Sequence, residues 1–172
     1  MSGSIQGAGW LGRRGWLVLA LLVAWALPAT AREGVEVGGN SVFSRLVPAT
    51  TVEQSAQQQY VQLLSQAAAK QALAGPDHPQ LRRLRGIAKK IVPHSLDWNP
   101  RARDWRWEVN LIGSKQVNAF CMPGGKIVFY SGILEQLKLS DAEVAVVMGH
   151  EVAHALREHA RERMAKNAAT GV

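Results

Sequence analysis

The sequence predicts an α+β fold: amino-terminal helices, a small antiparallel β-sheet, and a long helix carrying a metal-binding pattern. Three observations predict it. Apolar residues recur at helical spacing between Thr51 and Ile91. Trp105, Trp107, Val109 and Leu111 alternate with Arg106, Glu108 and Asn110, as on a half-buried strand. A helix opening at Ser140 then contains the run His150-Glu151-Val152-Ala153-His154.

In chain order, a targeting segment comes first. Arg13 and Arg14 precede an apolar run of 13 residues, Gly15 to Leu27, and Ala29-Thr30-Ala31 forms an A-x-A cleavage site. The run is short of the about 20 residues that span a bilayer. Residues 1–31 are therefore expected to be a cleavable signal peptide, with an uncleaved anchor as the alternative. Residues 32–49, holding Gly34, Gly38, Gly39 and Asn40, read as a flexible lead-in to a folded domain over 50–172.

Thr51 and Gln54 suggest a capping box for a helix running to Ala74, where Gly75-Pro76 stops it. Tyr60, Leu63, Leu64 and Ala67 form its apolar side. Pro79 suits a first helical position, and Leu81, Leu84, Ala88 and Ile91 carry a second helix to Pro93. Residues 94–104 form a loop before the alternating strand. Gly113-Ser114 turns the chain, Gln116 to Met122 is extended, Pro123-Gly124 fits a type II turn, and Lys126 to Tyr130 returns. Ser131-Gly132 leads into a short helix through Leu137.

Ser140 and Glu143 form an S-x-x-E capping box, and Asp141 adds charge where the helix dipole favours it. From there an unbroken helix is expected to about Lys166. Ala145, Met148, Val152, Ala155 and Leu156 make its apolar stripe. His150 and His154 lie one turn apart on nearly the opposite side, about 6 Å from each other, so both can reach one ion. Two neutral imidazoles with a carboxylate between them are the kit for metal-assisted hydrolysis: ligands His150 and His154, general base Glu151. His159 falls near Val152 and Leu156 on this wheel and reads as a core or semi-buried histidine. Glu158 lies about 12 Å along the axis from His150, too far to share the ion.

One cysteine, Cys121, excludes an intrachain disulfide. The formal charge is +7, and removing Arg13 and Arg14 leaves +5. Much of it gathers at Arg82, Arg83, Arg85, Lys89, Lys90, Arg101, Arg103 and Arg106. For an exported chain this reads as a solvated basic face, compatible with peripheral membrane association, and no nucleic-acid partner is expected.

Two segments carry a family resemblance. Asn118 to Leu134, N-A-F-C-M-P-G-G-K-I-V-F-Y-S-G-I-L, and Asp141 to His154, D-A-E-V-A-V-V-M-G-H-E-V-A-H, stand in the order and spacing of one group. The chain resembles the zinc metalloendopeptidases of the HtpX and Ste-type CAAX protease-related family, in particular their exported LoiP- and BepA-like branch. The resemblance implies a zincin-like (gluzincin) peptidase domain and one Zn2+ per site, held by His150 and His154 with Glu151 as base. It also implies a third ligand, a glutamate on a later helix. No counterpart stands in this sequence, so residues 50–172 read as the amino-terminal part of the domain. The implied role is quality control in the periplasm or cell envelope, by hydrolysis of unfolded or misassembled proteins. The alternative is a catalytically incomplete binding or chaperone-like fragment of such a protease.

Overall fold

Helix α1 (Ala49–Ala69) forms around Val52, Ala56, Tyr60 and Ala67, which the 3.6-residue period gathers on one buried side. The computed structural model describes residues 46–171. The expectations for the signal peptide at 1–31, and for the lead-in up to residue 45, lie outside the described residues. The helix starts at Ala49, after Pro48, with no side-chain cap. Thr51 is already inside the first turn, so the expected Thr51–Gln54 capping box does not form. The helix also ends five residues before Ala74. Gln71 takes a left-handed φ of 53°, and the next residues run beside a strand instead. Gly113 N–H donates to Ala72 O (2.7 Å) and Ala74 N–H to Leu111 O (3.0 Å). Hydrogen bonds to a sheet edge replace those of a last helical turn.

Helix α2 (Pro79–Ile91) has proline at N1 as expected, and His78 Nδ1 accepts from Gln80 N–H (3.2 Å). Leu81 and Leu84 on its inner side are fully enclosed. The expected loop is a series of 3-10 turns, Val92–His94, Leu96–Trp98 and Pro100–Arg103. Trp105 and Trp107 precede the strand rather than starting it. Their indoles are tied elsewhere, Trp105 to Glu53 Oε1 (2.9 Å) and Trp107 to Ala102 O (3.1 Å).

Strands β1 (Glu108–Ile112), β2 (Ala119–Met122) and β3 (Lys126–Tyr130) form one sheet in the order β1-β3-β2. The expected antiparallel sheet is corrected here. β2 and β3 pair antiparallel, but β1 and β3 pair parallel, with Val109 opposite Ile127 and Leu111 opposite Phe129. The reason lies in β3. Ile127, Val128 and Phe129 are apolar in succession and wholly buried, which suits a strand covered on both faces. β3 takes the centre, so β2 moves to the edge. The turn joining them has Pro123 second and Gly124 third at φ 84°, with Gly125 N–H donating to Met122 O (3.2 Å), as type II requires.

Helix α3 (Ser131–Leu137) follows, and helix α4 (Asp141–Leu156) opens with the Ser140–Glu143 capping box intact. α5 (His159–Thr170) is a separate helix. The two faces of the sheet carry different layers. Ile127 and Phe129 pack with Leu81, Leu84, Val144, Met148 and Val152 from α2 and α4. Ile112 and Val128 meet Tyr60 and Ala67 of α1. No helix among the described residues is long and apolar enough to cross a membrane.

Candidate metal and catalytic site

α4 lies over β2 and buries Val144, Met148, Val152, Ala155 and Leu156. A helix that buries these positions turns residues 150 and 154 away from the core. His150 and His154 are exposed, and Glu151 is half-buried. Their imidazoles stand edge to face at 88°, with centroids 4.5 Å apart. His150 Nε2 and His154 Nε2 approach to 2.9 Å. Two nitrogens bound tetrahedrally to one zinc, each at about 2.0–2.1 Å, would sit about 3.3 Å apart. A small opening of the pair thus suits a shared ion, and two imidazole nitrogens are donors that zinc accepts. No group of three His, Cys, Asp or Glu side chains among the described residues converges to hold a metal.

Beside this pair is a cleft of about 610 Å³. Glu151 and His154 line one wall, Cys121 and Pro123 of the β2–β3 hairpin another, and His159 and Glu162 of α5 a third. A second cleft of about 520 Å³, between α2 and β1, holds none of the motif residues. Cys121 is half-exposed as a residue, but its sulfur is enclosed. Burial, and then the charge of Glu151, push its thiol well above the usual range. A protonated thiol is a poor nucleophile.

The expected unbroken helix to Lys166 is interrupted. Glu158 adopts a left-handed φ of 56°. The Leu156 carbonyl, which an unbroken helix would offer to residue 160, accepts instead from the buried Asn99 Nδ2 at 2.9 Å. Glu158 is buried and accepts from Arg161 (2.8 Å), so it is turned away from any role as a third ligand. The break also corrects the placement of His159. It leaves the apolar stripe and comes beside His154, with Nδ1···Nδ1 at 2.5 Å and ring centroids 4.7 Å apart. Burial first, then the nearby His154 and Arg157, hold its pKa below the ordinary 6.5. Helical periodicity could not show this contact, because one left-handed residue rotates everything after it.

Residues 78–171, more than half of the chain, match the model of peptidase family M48. The chain belongs to that family. The M48 match covers both segments that carried the resemblance, and the enzyme class it gives is metallopeptidase. Among curated relatives, the mitochondrial metalloendopeptidase OMA1 of Arabidopsis thaliana is 54% identical over 61 residues, covering 36% of this chain and 12% of the relative. OMA1 of Schizosaccharomyces pombe is 34% identical over 88 residues, 51% of this chain and 24% of the relative. The metalloprotease LoiP of Escherichia coli is 41% identical over 51 residues, 30% and 19% respectively. The chain therefore spans less than a quarter of the length of each.

The expected periplasmic or cell-envelope localisation is overturned by these matches. The OMA1 relatives from plant, yeasts and mammals are mitochondrial proteins, and LoiP matches over a shorter stretch. The physical reason lies in residues 1–32, which hold Arg13, Arg14 and Arg32 and no acidic residue. A basic segment free of acidic residues is also the mark of organelle transit peptides, so charge and hydropathy alone did not decide the route.

Proposed function

We propose that this chain carries the catalytic helix of a zinc-dependent M48 endopeptidase, with His150 and His154 as zinc ligands and Glu151 as general base. The observation that carries the reading is the 2.9 Å approach of the two Nε2 atoms, with His154 and Glu151 both lining one cleft. Bound zinc supplies Lewis acidity, bringing a water's pKa to near 7 and polarising a carbonyl. Glu151 takes the proton of the attacking water on its carboxylate and delivers it to the leaving amine. The third ligand is a carboxylate from outside the described residues, in keeping with the resemblance.

The substrates are unfolded or misassembled proteins, taken as extended segments. β2 supports this, because among the described residues it is an edge strand with no other strand on its outer side, and it lies directly against α4. An extended peptide added there would run past Glu151 with its backbone hydrogen-bonded in register. The second reading, a binding module without a competent site, draws on the lack of a converging third ligand among the described residues.

Substitution separates the two. In a protein that supplies the third ligand, Glu151→Gln is expected to keep zinc, measured by elemental analysis, and to lose cleavage of casein by at least 100-fold, the usual order for a general base. His150→Ala and His154→Ala are expected to lose both. Cleavage retained by Glu151→Gln would sink the catalytic assignment, and zinc content indifferent to both histidines would favour the binding module.

A further inference from the structure

We propose that His159 is a positioning residue for His154: it accepts a hydrogen bond from Nδ1–H and so leaves the Nε2 lone pair of His154 for the metal. The inference rests on the zinc reading of His150 and His154.

The argument begins with proton counting on His154. Both ring nitrogens are engaged, Nε2 with His150 Nε2 at 2.9 Å and Nδ1 with His159 Nδ1 at 2.5 Å. A neutral imidazole has one N–H and one lone pair. If the proton sits on Nε2, that nitrogen cannot ligate. If it sits on Nδ1, it needs an acceptor, and His159 Nδ1 is at hydrogen-bond distance. His159 then carries its own proton on Nε2. Histidine ligands commonly give their second N–H to an acceptor that fixes tautomer and ring angle, and here the acceptor is a third imidazole.

The backbone is built to hold this contact. On a continuous helix residue 159 would point away from 154, as the sequence wheel shows. The left-handed turn at Glu158 brings it back. Three bonds secure that turn: Glu158 N–H to Ala155 O (3.0 Å), Asn99 Nδ2 to Leu156 O (2.9 Å), and Arg161 to the Glu158 carboxylate (2.8 Å). Arg161 also donates to Val47 O (2.7 Å), tying the start of α5 to the segment before α1. His159 is thus the first residue of a helix whose start is held both to the end of α4 and to the segment before α1.

The test uses the full chain and three substitutions. His159→Phe keeps bulk and removes the acceptor, His159→Ala removes both, and His159→Asn puts Oδ1 near the place of Nδ1. Long-range 1H–15N correlation of the metal-free protein reads the tautomer of His154 directly. Zinc affinity is read by competition with a chromogenic chelator, and circular dichroism checks the fold. The expected result is an Nδ1–H tautomer in the wild type, a shift toward Nε2–H in the Phe and Ala variants, and recovery in Asn. Zinc affinity should fall about 10- to 100-fold in Phe and Ala and return to within about 3-fold in Asn. A His154 tautomer that is Nε2–H in the wild type, or unchanged in the Phe variant, overturns the proposal, as does an Asn variant no better than Ala. His150→Ala serves as the control. If it too leaves zinc affinity unchanged, the zinc reading itself fails and this inference with it. If it weakens zinc while His159→Phe does not, only the inference fails.

Discussion

Gly125 shows how one residue constrains the turn between β2 and β3. Its φ is 78°, and a Cβ placed there would lie 2.8 Å from Trp107 Cδ2. Gly124 has a similar φ of 84° but open space around it. The pair separates two costs of a side chain. Gly124→Ala should lose about 1–2 kcal/mol for left-handed backbone alone. Gly125→Ala adds a clash with the Trp107 ring worth about 1–3 kcal/mol, and should be destabilised by about 2–5 kcal/mol in urea unfolding. Equal losses would mean that Trp107 yields freely. Cys121 makes a second test at this scale. With its thiol held protonated by burial and by Glu151, it should react with a thiol reagent at neutral pH only as the protein unfolds. Fast labelling of the native chain would contradict its enclosure.

Among the elements, the two ends of α4 differ in how they were written. The start was legible, because Ser140 and Glu143 form a local pattern and the structure closes the box, with Ser140 N–H donating to Glu143 Oε2 (2.8 Å). The end was not, because its cap comes from Asn99, more than fifty residues earlier. Ser140→Ala should cost about 1 kcal/mol. Asn99→Ala should cost more, about 2–3 kcal/mol, since it leaves the Leu156 carbonyl buried without its donor and also removes the acceptor of Arg101 N–H (3.0 Å). Chemical denaturation of the two variants compares them directly, and an Asn99 variant no weaker than the Ser140 variant would remove the long-range cap from the account. The same contrast runs through the sheet. Strand β3 and its turn were legible from Pro123-Gly124 and the run after Lys126. The parallel pairing with β1 was not, because alternation fixes which face a residue takes and says nothing of which neighbour it pairs with. At the candidate site, the approach of His150 to His154 could be read from their spacing. The contact of His159 with His154 could not, since it depends on a single left-handed residue.

At the scale of the molecule, charge links segments distant in sequence. Glu53 on α1 accepts from Arg101 Nε (2.9 Å), Arg101 Nη2 (2.6 Å) and Trp105 Nε1 (2.9 Å). Burial raises its pKa, but the bonds from Arg101 and Trp105 and the charges of Arg101 and Arg161 outweigh that and leave it below the ordinary 4.5. A carboxyl lowered by folding stabilises fully above its unfolded pKa and loses that contribution as pH falls through the folded value. Thermal stability should therefore drop as pH falls below about 4.5, and less steeply in Glu53→Gln. Parallel curves for the two proteins would show that Glu53 does not carry this effect. The expected basic face is also moderated at this scale. Arg82, Arg83, Arg101 and Arg103 each stand beside a carboxylate, those of Asp77, Asp141, Glu53 and Asp97.

The placing of β3 between its two partners has a consequence for the order of assembly. The β2–β3 hairpin closes through Pro123–Gly125 and can form early, because so short a loop loses little chain entropy. β1 is expected to join β3 later, because that pairing closes a longer stretch of chain. Until then the hairpin keeps one side of its inner strand unpaired, a row of amide and carbonyl groups open to any passing chain. The nascent protein is thus most exposed to association through the strand that the finished fold hides most completely.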